Sequence, residues 1–194
     1  MIYLVRHGES EANLQNRFSG ITDVELSEKG IQQAYETGNI LKPYKIDYIY
    51  SSPLKRAKDT AKIISKVNNI NEKDIIIENC LIEVNFGIFE NMTWHEIRES
   101  HREESESWIL NKNKYRFPEG ESYDDIKDRV SVFTNKIQKN SLIVTHFGVI
   151  QSILLYLNIA DDTNLWDYKI GNCDVLILDD KKSKIDKIIR NSLN

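Results

Sequence analysis

Apolar residues fall in short runs along this chain, at Ile2 to Val5, Ile46 to Tyr50, Ile75 to Ile77, Leu142 to Thr145 and Val175 to Leu178, each of strand length. Most of the intervals between them carry helical spacing. Ser27 can cap a helix over Glu28 to Leu41 that Pro43 terminates, and Pro53 stands at the start of a second over Leu54 to Val67. A third helix is predicted over Ser122 to Lys139, where Ile126, Val130, Phe133 and Ile137 recur at the spacing of a buried face. The segment Phe147 to Leu157 is apolar nearly all round and is expected to lie buried against the sheet. Strands alternating with helices in this way predict an α/β protein, a three-layer sandwich with a largely parallel central sheet. Residues 85–120 break the alternation with charges and aromatics and read as an excursion from one domain spanning 1–194; no repeat, low-complexity tract or linker interrupts it.

Composition narrows the function classes. With 194 residues the chain is long enough to bury roughly 70% of the surface its unfolded form exposes, so its core needs no covalent staples. Cys80 and Cys173 lie in apolar contexts without pair or metal spacing and are expected to be reduced, buried thiols, which points to the reducing cytoplasm. No run approaches the roughly 20 apolar residues of a membrane span, and the first strand is too short for a signal peptide. A net charge of −4 argues against nucleic-acid or anionic-membrane partners.

Chemistry-bearing residues gather at strand ends, where α/β proteins keep their sites. Arg6 and His7 follow the first apolar run directly, His146 follows Ser141 to Thr145, Arg56 follows Ser51-Ser52-Pro53 at a strand-to-helix junction, and Glu83 ends the run Leu81-Ile82. Two arginines beside two imidazoles would make a cationic pocket on an acidic protein, suited to a small phosphorylated ligand. Cleavage of a phosphate ester needs an in-line nucleophile, donors around the equatorial oxygens and a proton for the departing alkoxide, and these five residues can fill those roles.

The blocks Arg6-His7-Gly8-Glu9-Ser10 with Asn13, then Gly20, Asp23 and Leu26 before Gly30, then Ser51-Ser52-Pro53 with Arg56 and Thr60, then Glu83 with Phe86-Gly87 and Glu90, and finally Thr145-His146-Phe147-Gly148, resemble the phosphoglycerate mutase-like histidine phosphatases. The resemblance implies that His7 is a nucleophile forming a phosphohistidine, and that Arg6, Arg56, His146 and the neutral donor Asn13 hold the phosphoryl oxygens. It implies Glu83 as the acid for the leaving group, with a carboxyl pKa raised by burial, and Ser10 and Gly20 as further substrate contacts, with Glu9 orienting the loop. Arg6 and Arg56 should favour the neutral imidazole that attack requires. No metal and no cofactor is implied; His95 and His101 read as exposed helix residues without ligand partners. Where mutases carry an arginine, a tyrosine and a tryptophan, this chain has Val84, Phe86 and Ala12, so phosphatase is expected over mutase, and over a catalytically silent ligand-binding module. Glu83 to Glu90, Pro118 to Ser122 and Leu165 to Ile170 look like the α-ribazole phosphatase branch of cobalamin biosynthesis. Trp94, Trp108, Tyr115 and Phe117 either line a pocket for its flat base or form the packed core of the excursion. The expected partner is a small phosphorylated metabolite, and a homodimer is left open.

Overall fold

The computed structural model describes residues 1–194. Six strands form one sheet: β1 (Ile2–Arg6), β2 (Tyr48–Ser51), β3 (Ile75–Ile77), β4 (Ser141–Thr145), β5 (Val175–Leu178) and β6 (Ile185–Ile189), in the order β3-β2-β4-β1-β5-β6. The four strands from β3 to β1 are mutually parallel, whereas β5 runs antiparallel to β1 and β6 antiparallel to β5. The first five lie within two residues of the predicted runs. The sixth, half exposed and reading Ile-Asp-Lys-Ile-Ile, is an edge strand that the apolar pattern does not announce.

Alternation along the central strands divides the core in two, because successive strand side chains point to opposite faces. Ile2, Leu4, Ile143 and Leu176 belong to one cluster with residues of α6 (Tyr123–Lys136) and α7 (Phe147–Tyr156). Tyr3, Val5, Leu142, Val144, Val175 and Ile177 belong to the other, with Leu41 of α2 (Glu28–Leu41) and Ala57, Ala61 and Ile64 of α3 (Lys55–Val67). Helix pairs α2/α3 and α6/α7 thus cover the two faces of a three-layer sandwich. Ser27 caps α2 by accepting the Gly30 N–H, and Ser122 caps α6 within a capping box closed by Asp125.

The excursion is itself helical. Besides the short α1 (Glu11–Leu14), the chain forms α4 (Trp94–Ser100), capped by Thr93, and α5 (Arg102–Asn111). Their packed side is aromatic: Trp108 stands 4.8 Å from Phe117 and 5.2 Å from Phe18 between ring centroids.

Candidate active site

Parallel register brings the two strand-end histidines together. Arg6 of β1 pairs with Thr145 of β4, so the next residue of each strand, His7 and His146, emerges at the same edge, with ring centroids 5.1 Å apart. The His7 N–H donates to the Thr145 carbonyl at 2.9 Å. Its Nδ1 lies 2.7 Å from the Gly8 carbonyl, which can only accept, so Nδ1 carries the proton and the neutral ring keeps its lone pair on Nε2. The Gly8 N–H in turn donates to Thr60 Oγ1. Gly8 and Gly30 let this loop lie against α2, since a Cβ on Gly30 would meet the Glu9 carbonyl oxygen at 2.0 Å. Burial, then the Arg56 charge, push the pKa of both imidazoles well below the usual histidine value, with Arg6 acting in the same direction.

Arg56 has no exposed surface. Its two terminal nitrogens donate to the carbonyls of Thr22, Ser19 and Gly20 at 2.8 to 2.9 Å, which leaves Nε buried without a partner. Burial brings its pKa down to about 10, so it remains a cation at neutral pH. Arg6 donates to the Ile170 carbonyl, lies 5.6 Å from the Phe147 ring centre, and also keeps a buried, unpartnered Nε. His146 Nε2 meets Ser52 Oγ at 2.8 Å while its Nδ1 has no partner. Buried polar nitrogens without partners are rare, and three of them on groups surrounding His7, two being guanidinium N–H groups that can only donate, mark a place prepared for an anion.

Glu83 is 7% exposed. Its two oxygens accept the N–H groups of Val84 and Gly148, and burial raises its pKa against the opposing pull of those bonds and of Arg56 and Arg6. Arg129 fixes the segment that carries it, donating to the carbonyls of Cys80 and Glu83 while pairing with Glu121.

The cleft above these groups measures about 380 Å³, and Arg6, His7, Asn13, Glu83 and Gly148 form its floor and sides. Asn13 Oδ1 accepts from the Ser10 N–H and from Asn172 Nδ2, which leaves the amide nitrogen as the end of this cleft-lining side chain available to a ligand. Phe18, Phe86 and Trp94 form an aromatic wall, and Arg17, paired with Glu96 at 2.9 Å, stands at the mouth. Nowhere in the molecule do three His, Cys, Asp or Glu side chains converge as metal ligands would.

Residues 2–189 match the model of the histidine phosphatase superfamily, branch 1. The chain belongs to that superfamily. It is 30% identical over 194 residues to phosphoserine phosphatase 1 of Hydrogenobacter thermophilus, covering 96% of this chain and 90% of the relative. The α-ribazole phosphatase of Shigella flexneri superposes with a TM-score of 0.82 at 24% identity, covering 99% of this chain and 96% of the other. The phosphoserine phosphatase of Entamoeba histolytica, solved in complex with 3-phosphoglyceric acid, gives 0.80 at 24% identity, covering 99% and 98%. The last two likenesses establish the fold. As a histidine phosphatase the chain has an accessible imidazole lone pair, cationic donors and a buried carboxyl around one cleft, the parts that transfer of a phosphoryl group requires.

Of the five residues predicted to carry chemistry, Arg6, His7 and Glu83 line the cleft together with Asn13, whereas Arg56 and His146 are fully buried beside His7 and do not line it. Ser10 and Gly20 do not line the cleft. Ser10 Oγ accepts the Asn13 N–H as the cap of α1, and Gly20 is placed between Glu90 and Arg56, where a Cβ would fall 1.8 Å from the Val84 carbonyl oxygen. Of the four excursion aromatics, Trp94 reaches the cleft wall while Trp108, Tyr115 and Phe117 pack together behind it. His95 is exposed as expected; His101 is half-buried at the junction of α4 and α5, with its ring 5.7 Å from that of Phe89. Sequence reasoning missed Arg17, Tyr123, Phe147 and Asn172.

Proposed function

We propose that this histidine phosphatase hydrolyses small phosphate monoesters through a phosphohistidine at His7 Nε2, with no metal ion. The observation that carries the proposal is the His7 ring itself, buried between two arginines that keep it neutral, with Nδ1–H committed to the Gly8 carbonyl and the lone pair free on Nε2. Nε2 attacks phosphorus as the bond to the ester oxygen breaks, and the Glu83 carboxyl gives its proton to the departing alkoxide. Water then attacks the phosphohistidine, Glu83 takes a proton from that water, and the N–P bond breaks to release inorganic phosphate and neutral His7. Arg6 Nε, Arg56 Nε, His146 Nδ1 and Asn13 Nδ2 donate to the phosphoryl oxygens, taking the part that Mg²⁺ plays in other phosphoryl transfers. His7→Ala is expected to lose turnover by several orders of magnitude, and rapid quench of the native enzyme with labelled substrate should yield acid-labile, base-stable phosphate on His7. Activity should persist in EDTA; near-native turnover by His7→Ala would falsify the covalent route.

The substrate reading is α-ribazole 5'-phosphate, a heteroaromatic nucleoside phosphate. It is supported by the aromatic wall of Phe18, Phe86 and Trp94 and by likeness to α-ribazole phosphatase in sequence blocks and fold. Val84 supplies no cation beside Glu83 for a phosphoglycerate carboxylate, which weighs against mutase chemistry. A second reading, phosphoserine, is favoured by Arg17, a cleft-lining cation that would exchange its Glu96 partner for the substrate carboxylate, and by the similarity to a phosphoserine phosphatase. A comparison of kcat/KM for α-ribazole 5'-phosphate, phosphoserine, 3-phosphoglycerate and a generic sugar phosphate decides among these. Cleavage of α-ribazole phosphate no faster than the sugar phosphate, or rapid interconversion of 2- and 3-phosphoglycerate, sinks the first reading.

A further inference from the structure

The turn Gly171-Asn172-Cys173-Asp174, which leads into β5, grips the backbone of the loop that carries His7. The Cys173 N–H is shared between the carbonyls of Arg6 at 2.9 Å and His7 at 3.3 Å, a placement that uses a left-handed backbone at Cys173, φ +58°. Asn172 Nδ2 donates to the His7 carbonyl at 3.0 Å and to Asn13 Oδ1 at 3.2 Å. One side-chain amide therefore holds the main chain of His7 and, together with the Ser10 N–H that donates to the same oxygen at 3.1 Å, sets which end of the Asn13 amide is left for a ligand. The turn is braced from behind. Asp174, 1% exposed, accepts from the N–H groups of Gly171 and Asn191 and from Asn194 Nδ2, and pairs with Arg190. Asn194 Nδ2 also donates to the Asn172 carbonyl, and its Oδ1 accepts from Gln33, whose own Oε1 accepts the Glu9 N–H beside the His7 loop.

We propose that Asn172 is a positioning residue for phosphoryl transfer, and that Asp174 and Asn194 act through it by holding its turn against the His7 loop. An asparagine amide is polar at both ends, and nothing in its shape distinguishes them. With Asn172 in place, Asn13 Oδ1 is occupied and its NH2 group is presented to phosphate. Without it only the Ser10 N–H, at 3.1 Å, still holds that oxygen, so the Asn13 amide turns more readily to present oxygen to an anion, which changes an attraction into a repulsion. This rests on Asn13 being a phosphate donor, but not on the phosphohistidine, because binding of an anion alone reports it.

The test is a double-mutant cycle read by orthovanadate inhibition and by turnover of p-nitrophenyl phosphate. Asn13→Ala and Asn172→Ala are each expected to weaken orthovanadate about tenfold, the value of one charge-assisted hydrogen bond. The double variant should then lose no more than about twofold beyond Asn13→Ala, because Asn172 acts on the anion through Asn13. Asn194→Ala should weaken orthovanadate about threefold alone and add nothing in the Asn172→Ala background. Multiplied losses in the Asn13/Asn172 pair would show two independent effects and overturn the proposal, as would unchanged inhibition in Asn172→Ala. Should Asn172→Ala not fold, Asn172→Asp keeps the shape but turns an acceptor toward the His7 carbonyl and Asn13 Oδ1. Unimpaired orthovanadate inhibition in that variant overturns the proposal equally. An active His7→Ala enzyme would instead remove the covalent route and leave the inhibition cycle readable.

Discussion

A histidine that must attack as a neutral base works best where protonation is held off, and His7 meets that condition through burial and the Arg56 and Arg6 charges. Its pKa is lowered, so the rising limb of kcat/KM against pH should lie below the ordinary histidine value of about 6.5 and not at it. Glu83 shifts the other way: burial raises its pKa, so the carboxyl stays protonated to a higher pH than an exposed glutamate and sets the falling limb. A pH profile measured with a substrate of poor leaving group should therefore be a bell displaced to the acid side, and Glu83→Gln should abolish its falling limb. The same variant should impair alkyl phosphates far more than p-nitrophenyl phosphate, whose phenolate departs without a proton; equal losses would assign Glu83 to positioning instead. These residues were legible in the sequence because each follows an apolar run directly. Asn172 and Tyr123 were not, since a turn and the first residue of a helix reach, respectively, the His7 loop and the cleft only through the packing of distant segments.

Between the residues and the fold stand the connections that hold Arg56. The loop carrying Ser19, Gly20 and Thr22 offers three carbonyls to the Arg56 guanidinium, and Glu90 gathers the same loop from the other side. The Glu90 carboxylate accepts the N–H groups of Gly20, Ile21, Thr22 and Phe86 and the Thr22 hydroxyl. Glu90→Gln replaces one of those oxygens with a donor facing donors, and should destabilise the protein by about 1–3 kcal/mol, read as a lowered Tm. It should also reduce kcat, because the loop it organises is what aims Arg56; an unchanged Tm would show that the loop holds its shape without the carboxylate. None of this was visible in the apolar pattern, which reports burial alone. The pattern located β1 and β4 because both faces of those strands are covered, making their residues uniformly apolar. It missed β6, whose edge position admits Asp186 and Lys187, and it gave α4 and α5 only as an excursion without helix bounds, because their charged residues face solvent around a small aromatic contact.

At the scale of the whole molecule, the strand order places the parallel neighbours β1 and β4 at the centre of the sheet, and the site forms at their carboxyl ends, as open α/β sheets provide. A chain of net charge −4 there buries the Arg6 and Arg56 cations with unpartnered Nε groups beside a raised-pKa carboxyl. The free protein thus carries a desolvated positive site whose counter-ion is the ligand, and anion binding should stabilise the fold as well as occupy the cleft. Orthovanadate at a hundred times its dissociation constant should add about 2.7 kcal/mol, which for a chain of this size raises Tm by about 5–10 °C. Arg6→Ala should bind so much more weakly that the rise disappears at the same concentration, whereas Trp94→Ala, which alters only the aromatic wall, should keep it. A rise of equal size in the native protein and in Arg6→Ala would mean that vanadate stabilises from elsewhere on the surface, and the cationic pit would no longer account for recognition of phosphate.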